Sequence, residues 1–313
     1  MRDDQPTDGT EHDASTAKEF WDLISPLRNL FDFHARPIYR GQGDAEWKLT
    51  PSILRSNDHH IYSFPMTRVQ SEDSITRIFA EIESLRVFAQ YCDTAGLRIP
   101  GDSIEFRDKH LDPRRVIDAI VFQQPLWPSD QYFEIIALAQ HHGLPTRLLD
   151  WSRSSYVAAY FAAIQALRRT GNSRLAVWVL NTEHIPHLLP NIRIIRVPGS
   201  NNANVAAQGG LFTLLRQEYK RGMPFMGPAC LSEYLQACGR YDLVKITVPN
   251  SEAPKIVDLC ERHGVTAAVL FPDFRGAAQA TLDYFACLAR SQWADGRDIR
   301  VDPPLQAPAK SVE

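Results

Sequence analysis

Helical periodicity fills the first half of this 313-residue chain and strand-like runs fill most of the second, with no regular alternation between them. Ile75, Ile78, Phe79, Ile82, Leu85 and Phe88 recur three and four apart and predict an amphipathic helix over 74–91. Thr16, with Glu19 three residues on, predicts a capped helix start ahead of Phe20, Leu23 and Ile24. Further helices are expected at 114–122, at 131–141 with Gly143 as the stop, and from Ser152 or Ser154 through Leu167. The segment 37–40 reads as a short strand, as do 175–180, 192–197, 211–215, 243–248 and the apolar run 265–271. Helices are expected again at 252–263 and 277–291. Elements grouped in this way predict a single α+β domain whose mixed or antiparallel sheet lies in the second half. The expected organisation is a disordered segment over 1–14, a domain over 15–292 with a candidate helical insertion at 57–130, and a loose tail at 293–313.

A formal net charge of −3 gives no global attraction to nucleic acid or to an anionic membrane. No apolar run approaches the length of a membrane span, and the polar, acidic start is unlike a signal peptide, so the expected location is cytoplasmic. Cys92, Cys230, Cys238, Cys260 and Cys287 show no C-x-x-C spacing and read as free thiols. The glycine-rich fingerprints of dinucleotide-binding, P-loop and α/β-hydrolase folds are absent.

Chemistry-bearing residues concentrate between Leu138 and Ala162. That stretch holds His141, His142, a Gly-Leu-Pro turn, Thr146, Arg147, Asp150, Trp151 and Ser152 before a helix carrying Tyr160 and Phe161. Rigidly held loops are where binding groups gather. The adjacent histidines project about 100° apart on a helix, whereas two zinc ligands on one face need a spacing of three or four, so no metal is expected. Arg147 and Asp150 could pair and lock the loop, leaving Ser152 to a ligand. Arg40 ends a strand in Tyr39-Arg40-Gly41-Gln42, and its planar fork suits a phosphate or carboxylate. A salt bridge to Asp150 is the alternative use, and the flanking glycines favour the ligand.

Tyr39-Arg40-Gly41-Gln42, the run from Gln140 to Ser152, and Gln208-Gly209-Gly210-Leu211-Phe212 resemble the three signatures of the bacterial and phage FRG domain family. Segments 243–249 and 264–273 are similar to that family too, so the resemblance covers roughly 17–290. A second resemblance, to ADP-ribosyltransferases of the arginine-serine-glutamate type, bears on mechanism. Arg40 matches the arginine that ends their first strand. Ser152, running through Ser154 and Ser155 into Ala158-Ala159-Tyr160-Phe161-Ala162, is similar to their serine strand and helix. The position of their glutamate falls on Gln208.

This second resemblance implies a split sheet, NAD as substrate, Arg40, Ser152 and Gln208 as catalytic residues, and Tyr39, Gly41, Gln42, His142, Thr146, Arg147, Asp150, Trp151, Tyr160 and Phe161 around the ligand. Cleavage of NAD forms an oxocarbenium-like ribose, which a nearby carboxylate stabilises. Glutamine can hydrogen-bond ribose but carries no charge. Asp150, Glu46 or Asp273 could supply it, the site could bind a nucleotide without turnover, or the likeness could be architectural. The resemblance therefore implies an ADP-ribosyltransferase or NAD glycohydrolase with an undefined macromolecular acceptor, toxins and phage-defence effectors being roles open to it. The competing reading is a nucleotide-sensing or partner-binding module without turnover. A nucleic-acid enzyme is disfavoured, because no basic stripe is present.

Overall fold

The computed structural model describes residues 11–28, 30–31, 35–55, 73–121, 126–169, 173–198, 203–240 and 242–294. In chain order the first elements are β1 (Glu11–Asp13), α1 (Ala17–Ile24), β2 (Ile38–Gln42), α2 (Ser74–Thr94), α3 (Ile104–Phe106) and α4 (Pro113–Val121). There follow β3 (Leu126–Trp127), α5 (Phe133–His141), β4 (Leu148–Ser152), α6 (Ser155–Leu167), β5 (Arg174–Leu180), α7 (Ile185–Leu188) and β6 (Ile192–Ile195). The chain continues with α8 (Ala203–Ala207), β7 (Gly210–Leu215), β8 (Gln217–Glu218), α9 (Leu231–Ala237), β9 (Leu243–Pro249), α10 (Ala253–Arg262), α11 (Ala267–Leu270) and α12 (Phe274–Ala294). The fold is α+β, with a seven-stranded mixed sheet in the order β1-β9-β5-β2-β4-β7-β6 and a separate β3-β8 pair. Among the described residues, no helix is long and apolar enough to cross a membrane.

Local chemistry accounts for the helix starts. Thr16 accepts the Glu19 amide at 3.2 Å, and the Glu19 carboxylate reaches back to the Ser15 amide. Asp73 caps α2 through the Thr76 amide, and it is Ser154, not Ser152, that caps α6. After α5, Gly143 takes a φ of +90°, the left-handed conformation that lets the chain turn toward β4.

Two helical groups cover separate halves of one sheet face. Helices α1, α6 and α10 pack on Tyr39, Leu175, Val177, Val179, Val244, Ile246 and Val248. Helices α2, α4 and α5 pack on Leu148, Ile195, Phe212 and Leu214. The strand registers place Tyr39, Ser152, Asp150 and Phe212 on this same face. The opposite face buries Ile38, Leu149, Trp151, Leu180 and Leu211 beneath α7 and α9. Each fully buried aliphatic or aromatic side chain contributes about 1.5–3 kcal/mol to this arrangement.

Two sequence expectations are corrected. Glu11–Asp13, within the segment read as disordered, pairs in parallel with β9, and the Ala14 amide extends the ladder to the Thr247 carbonyl. The remainder of that segment, residues 1–10, and the tail beyond 294 lie outside the described residues. The run 265–271, read as a strand, forms the single-turn helix α11: Ala267 and Leu270 are buried three apart while Val269 faces solvent. A short run that is apolar at all but one position shows no clear period, so strand and buried helix cannot be told apart from it.

Candidate functional site

β2 and β4 share one register pair, Tyr39↔Ser152, whereas β2 follows β5 for five pairs and β4 follows β7 for five. Beside that single pair, the Arg40 guanidinium takes up a backbone acceptor on β4. Its Nη1 donates to the Asp150 carbonyl at 2.7 Å and lies 3.5 Å from the Asp150 carboxylate. The side chain is only 14% exposed, and its Nε has no hydrogen-bond partner. Burial pulls the guanidinium below its ordinary pKa, with the Asp150 charge opposing.

This opening is one wall of a cavity of about 480 Å³. Arg40, Asp150, Ser152 and Gln208 border it together with Tyr39, Gly41, Trp151 and Phe161, and another side is closed by Asp273, just ahead of α12, and by Arg275 and Gln279 of that helix. Asp150 is held by a short relay. The Gln140 amide donates to its Oδ2 at 3.0 Å, and the Gln140 carbonyl accepts the Thr146 hydroxyl at 2.6 Å. Thr146 in turn accepts the Leu148 amide at 3.1 Å. Asp273 accepts the Gly276 amide at 2.8 Å across the first turn of α12.

Ser152 works as a local tie. Its hydroxyl donates to the Gln208 carbonyl at 2.7 Å and accepts the Ser154 amide at 2.9 Å. Gln208 is thereby fixed beside β4, and its side-chain amide donates to the Leu270 carbonyl at 3.3 Å. His141 reaches Asn204 at 3.4 Å, and burial, followed by the neighbouring His142, lowers its pKa from the usual imidazole value.

Several residues expected at the ligand are committed elsewhere. Arg147 does not pair with Asp150. It is 2% exposed, bonds Glu81 through Nε and Nη2 at 2.8–3.0 Å, and reaches Gln217 at 2.9 Å. Arg147 precedes β4, and its guanidinium is taken up by Glu81 of α2 and stacks on the Phe225 ring, which leaves none of it for Asp150. Gln42 is buried and accepts the Trp178 indole N–H, the Trp151 indole donates to Thr213 on the far face, and Tyr160 bonds Asp283. Thr146 is buried in the relay behind Asp150, and His142 is an exposed helix cap. Gly41 serves helix packing: a Cβ built there would lie 1.9 Å from the Ala158 carbonyl oxygen. Gln140, Asn204, Gln165 and Gln279 border the cavity without having been singled out. Gln140 opens the polar run that ends at Ser152, whereas nothing in the sequence sets Asn204 or Gln279 apart.

Among the described residues, no group of three or more His, Cys, Asp or Glu side chains could hold a metal ion. The sequence model of the FRG domain family matches residues 35–170, a span that supplies Arg40, Gln140, Asp150 and Ser152. This part of the chain is similar to the FRG domain family. Searches of curated proteins and of solved structures found no match. The matched span contributes β2, β4 and α6, while Gln208 and the α12 residues come from beyond it.

Proposed function

We propose that the cavity binds NAD and breaks its bond to nicotinamide, as an ADP-ribosyltransferase or an NAD glycohydrolase does. The observation that carries this reading is the meeting of Arg40, Ser152 and Gln208, from three distant segments, around one cavity. In this reading the unpartnered edge of Arg40 takes the pyrophosphate. Phe161 offers an aromatic surface to a ring of the substrate. Gln208 hydrogen-bonds the ribose hydroxyls, after its amide leaves the Leu270 carbonyl, while Ser152 positions it. The acceptor is water or a macromolecule, and an effector role in toxicity or phage defence would follow from depletion of NAD or modification of a target. Incubation of the purified protein with NAD, following nicotinamide release and transfer of labelled ADP-ribose, tests the proposal.

A second reading, nucleotide binding without turnover, is favoured by the uncharged Gln208 side chain and its commitment to Leu270. Substitution at this position separates the two. Under the first reading, Gln208→Glu preserves or raises nicotinamide release and Gln208→Ala lowers it. Under the second, both variants change affinity and no variant, nor the parent, releases nicotinamide. Arg40→Lys is expected to weaken NAD binding about tenfold, because a point charge cannot reproduce the two-pronged contact. Calorimetric titration with NAD measures this, and unchanged affinity would remove Arg40 from the ligand.

A further inference from the structure

We infer that Asp150 is the carboxylate that stabilises the ribosyl cation, in the role for which Gln208 has no charge; the inference rests on the NAD-cleaving reading above. Three carboxylates compete for this assignment, and their surroundings separate them. Glu46 is exposed and does not border the cavity. Asp273 borders it but has a structural use, since its Oδ1 accepts the Gly276 amide at the start of α12. Asp150 borders the cavity with its side chain 59% exposed.

A purely structural role explains Asp150 poorly. Arg40 is anchored by the Asp150 backbone carbonyl at 2.7 Å, whereas the carboxylate stands off at 3.5 Å. Any side chain at position 150 would present that carbonyl. The carboxylate is instead oriented from behind, by Gln140 at 3.0 Å, and Gln140 is itself fixed by Thr146. Among the described residues no hydrogen bond reaches Asp150 Oδ1. One oxygen is thus clamped while the other has no hydrogen-bond partner among the described residues, in a residue that borders the cavity, which suits it to meet a charge that develops on a substrate.

The step balances without a further reagent. The bond between ribose C1′ and the nicotinamide ring nitrogen breaks, and both electrons leave with nicotinamide, which becomes neutral. The positive charge passes to C1′ and the ring oxygen of the ribose, facing the Asp150 side chain. Water or an acceptor nucleophile then bonds to C1′ and releases its proton to solvent. Asp150 forms no covalent bond.

The test follows nicotinamide release from NAD by the full chain, with Asp150→Asn, Asp150→Ser, Asp150→Asn/Gln208→Glu and Glu46→Gln variants, and NAD binding by calorimetry. Expected for Asp150→Asn is a fall in kcat of about 100-fold or more. Its affinity for NAD stays within about threefold of the parent, and Gln208→Glu restores part of the rate. Glu46→Gln leaves the rate unchanged. Asp150→Ser gives the same loss and stands in should the asparagine variant fail to fold. If Asp150→Asn instead weakens NAD binding and retains kcat, Asp150 only supports Arg40 and the inference is overturned. Parental turnover in both Asp150 variants likewise overturns it and leaves the proposed function standing. Binding of NAD by the parent without any nicotinamide release overturns both.

Discussion

Arg147→Met is expected to destabilise the fold by about 3–5 kcal/mol, the cost of leaving one half of a buried ion pair without its partner. The guanidinium is 2% exposed and sits between Glu81 on α2 and Gln217 on β8, with the Phe225 ring 4.1 Å from its centre. Glu81 also accepts the Trp127 indole N–H at 2.8 Å, so the loss reaches α2, β3 and β4 together. Replacing both members, as Arg147→Met/Glu81→Leu, removes the stranded charge and is expected to recover more than half of the loss. Urea denaturation of the parent, both single variants and the double variant measures the coupling. A single variant within about 0.5 kcal/mol of the parent would show that the pair is not buried as described. Neither member of the pair borders the cavity, so its failure would reach the site through the chain neighbours of Arg147, Thr146 of the relay and Leu148 of β4.

Gly41→Ala is the second change of large expected effect. The added Cβ would meet the Ala158 carbonyl oxygen at 1.9 Å and the Ala162 nitrogen at 2.8 Å, both in the backbone of α6. Backbone atoms inside a helix cannot step aside as a side-chain tip can, so the helix must lift from β2. Overpacking of this kind costs about 3 kcal/mol or more. The displacement falls next to Arg40, so NAD affinity is expected to fall along with the denaturation midpoint. Parental stability in Gly41→Ala would show that α6 does not approach β2 so closely. The glycine that looked like an opening for a ligand is therefore the contact that seats α6.

The sequence by itself determined most of the local structure. Apolar residues three and four apart set α2 and α6, the Thr16 cap sets where α1 begins, and apolar runs bounded by turns set β5, β7 and β9. These signals are legible because they act between residues a few positions apart. For the same reason, three polar segments stood out as places where chemistry concentrates. What each polar side chain does was decided only by the tertiary structure. Arg147 finds Glu81 across 66 residues, Tyr160 finds Asp283 across 123, and Arg40 finds Asp150 across 110. Local patterning shows which residues share a face but carries no record of what covers it. α11 differs from the expected strand because a short run with six apolar residues in seven shows no period, and β1 differs because three polar residues owe their strand to the edge of β9. The cavity belongs to the same class: it exists where β2 and β4 touch at one pair and α12 closes over the gap, a meeting of elements more than 100 residues apart.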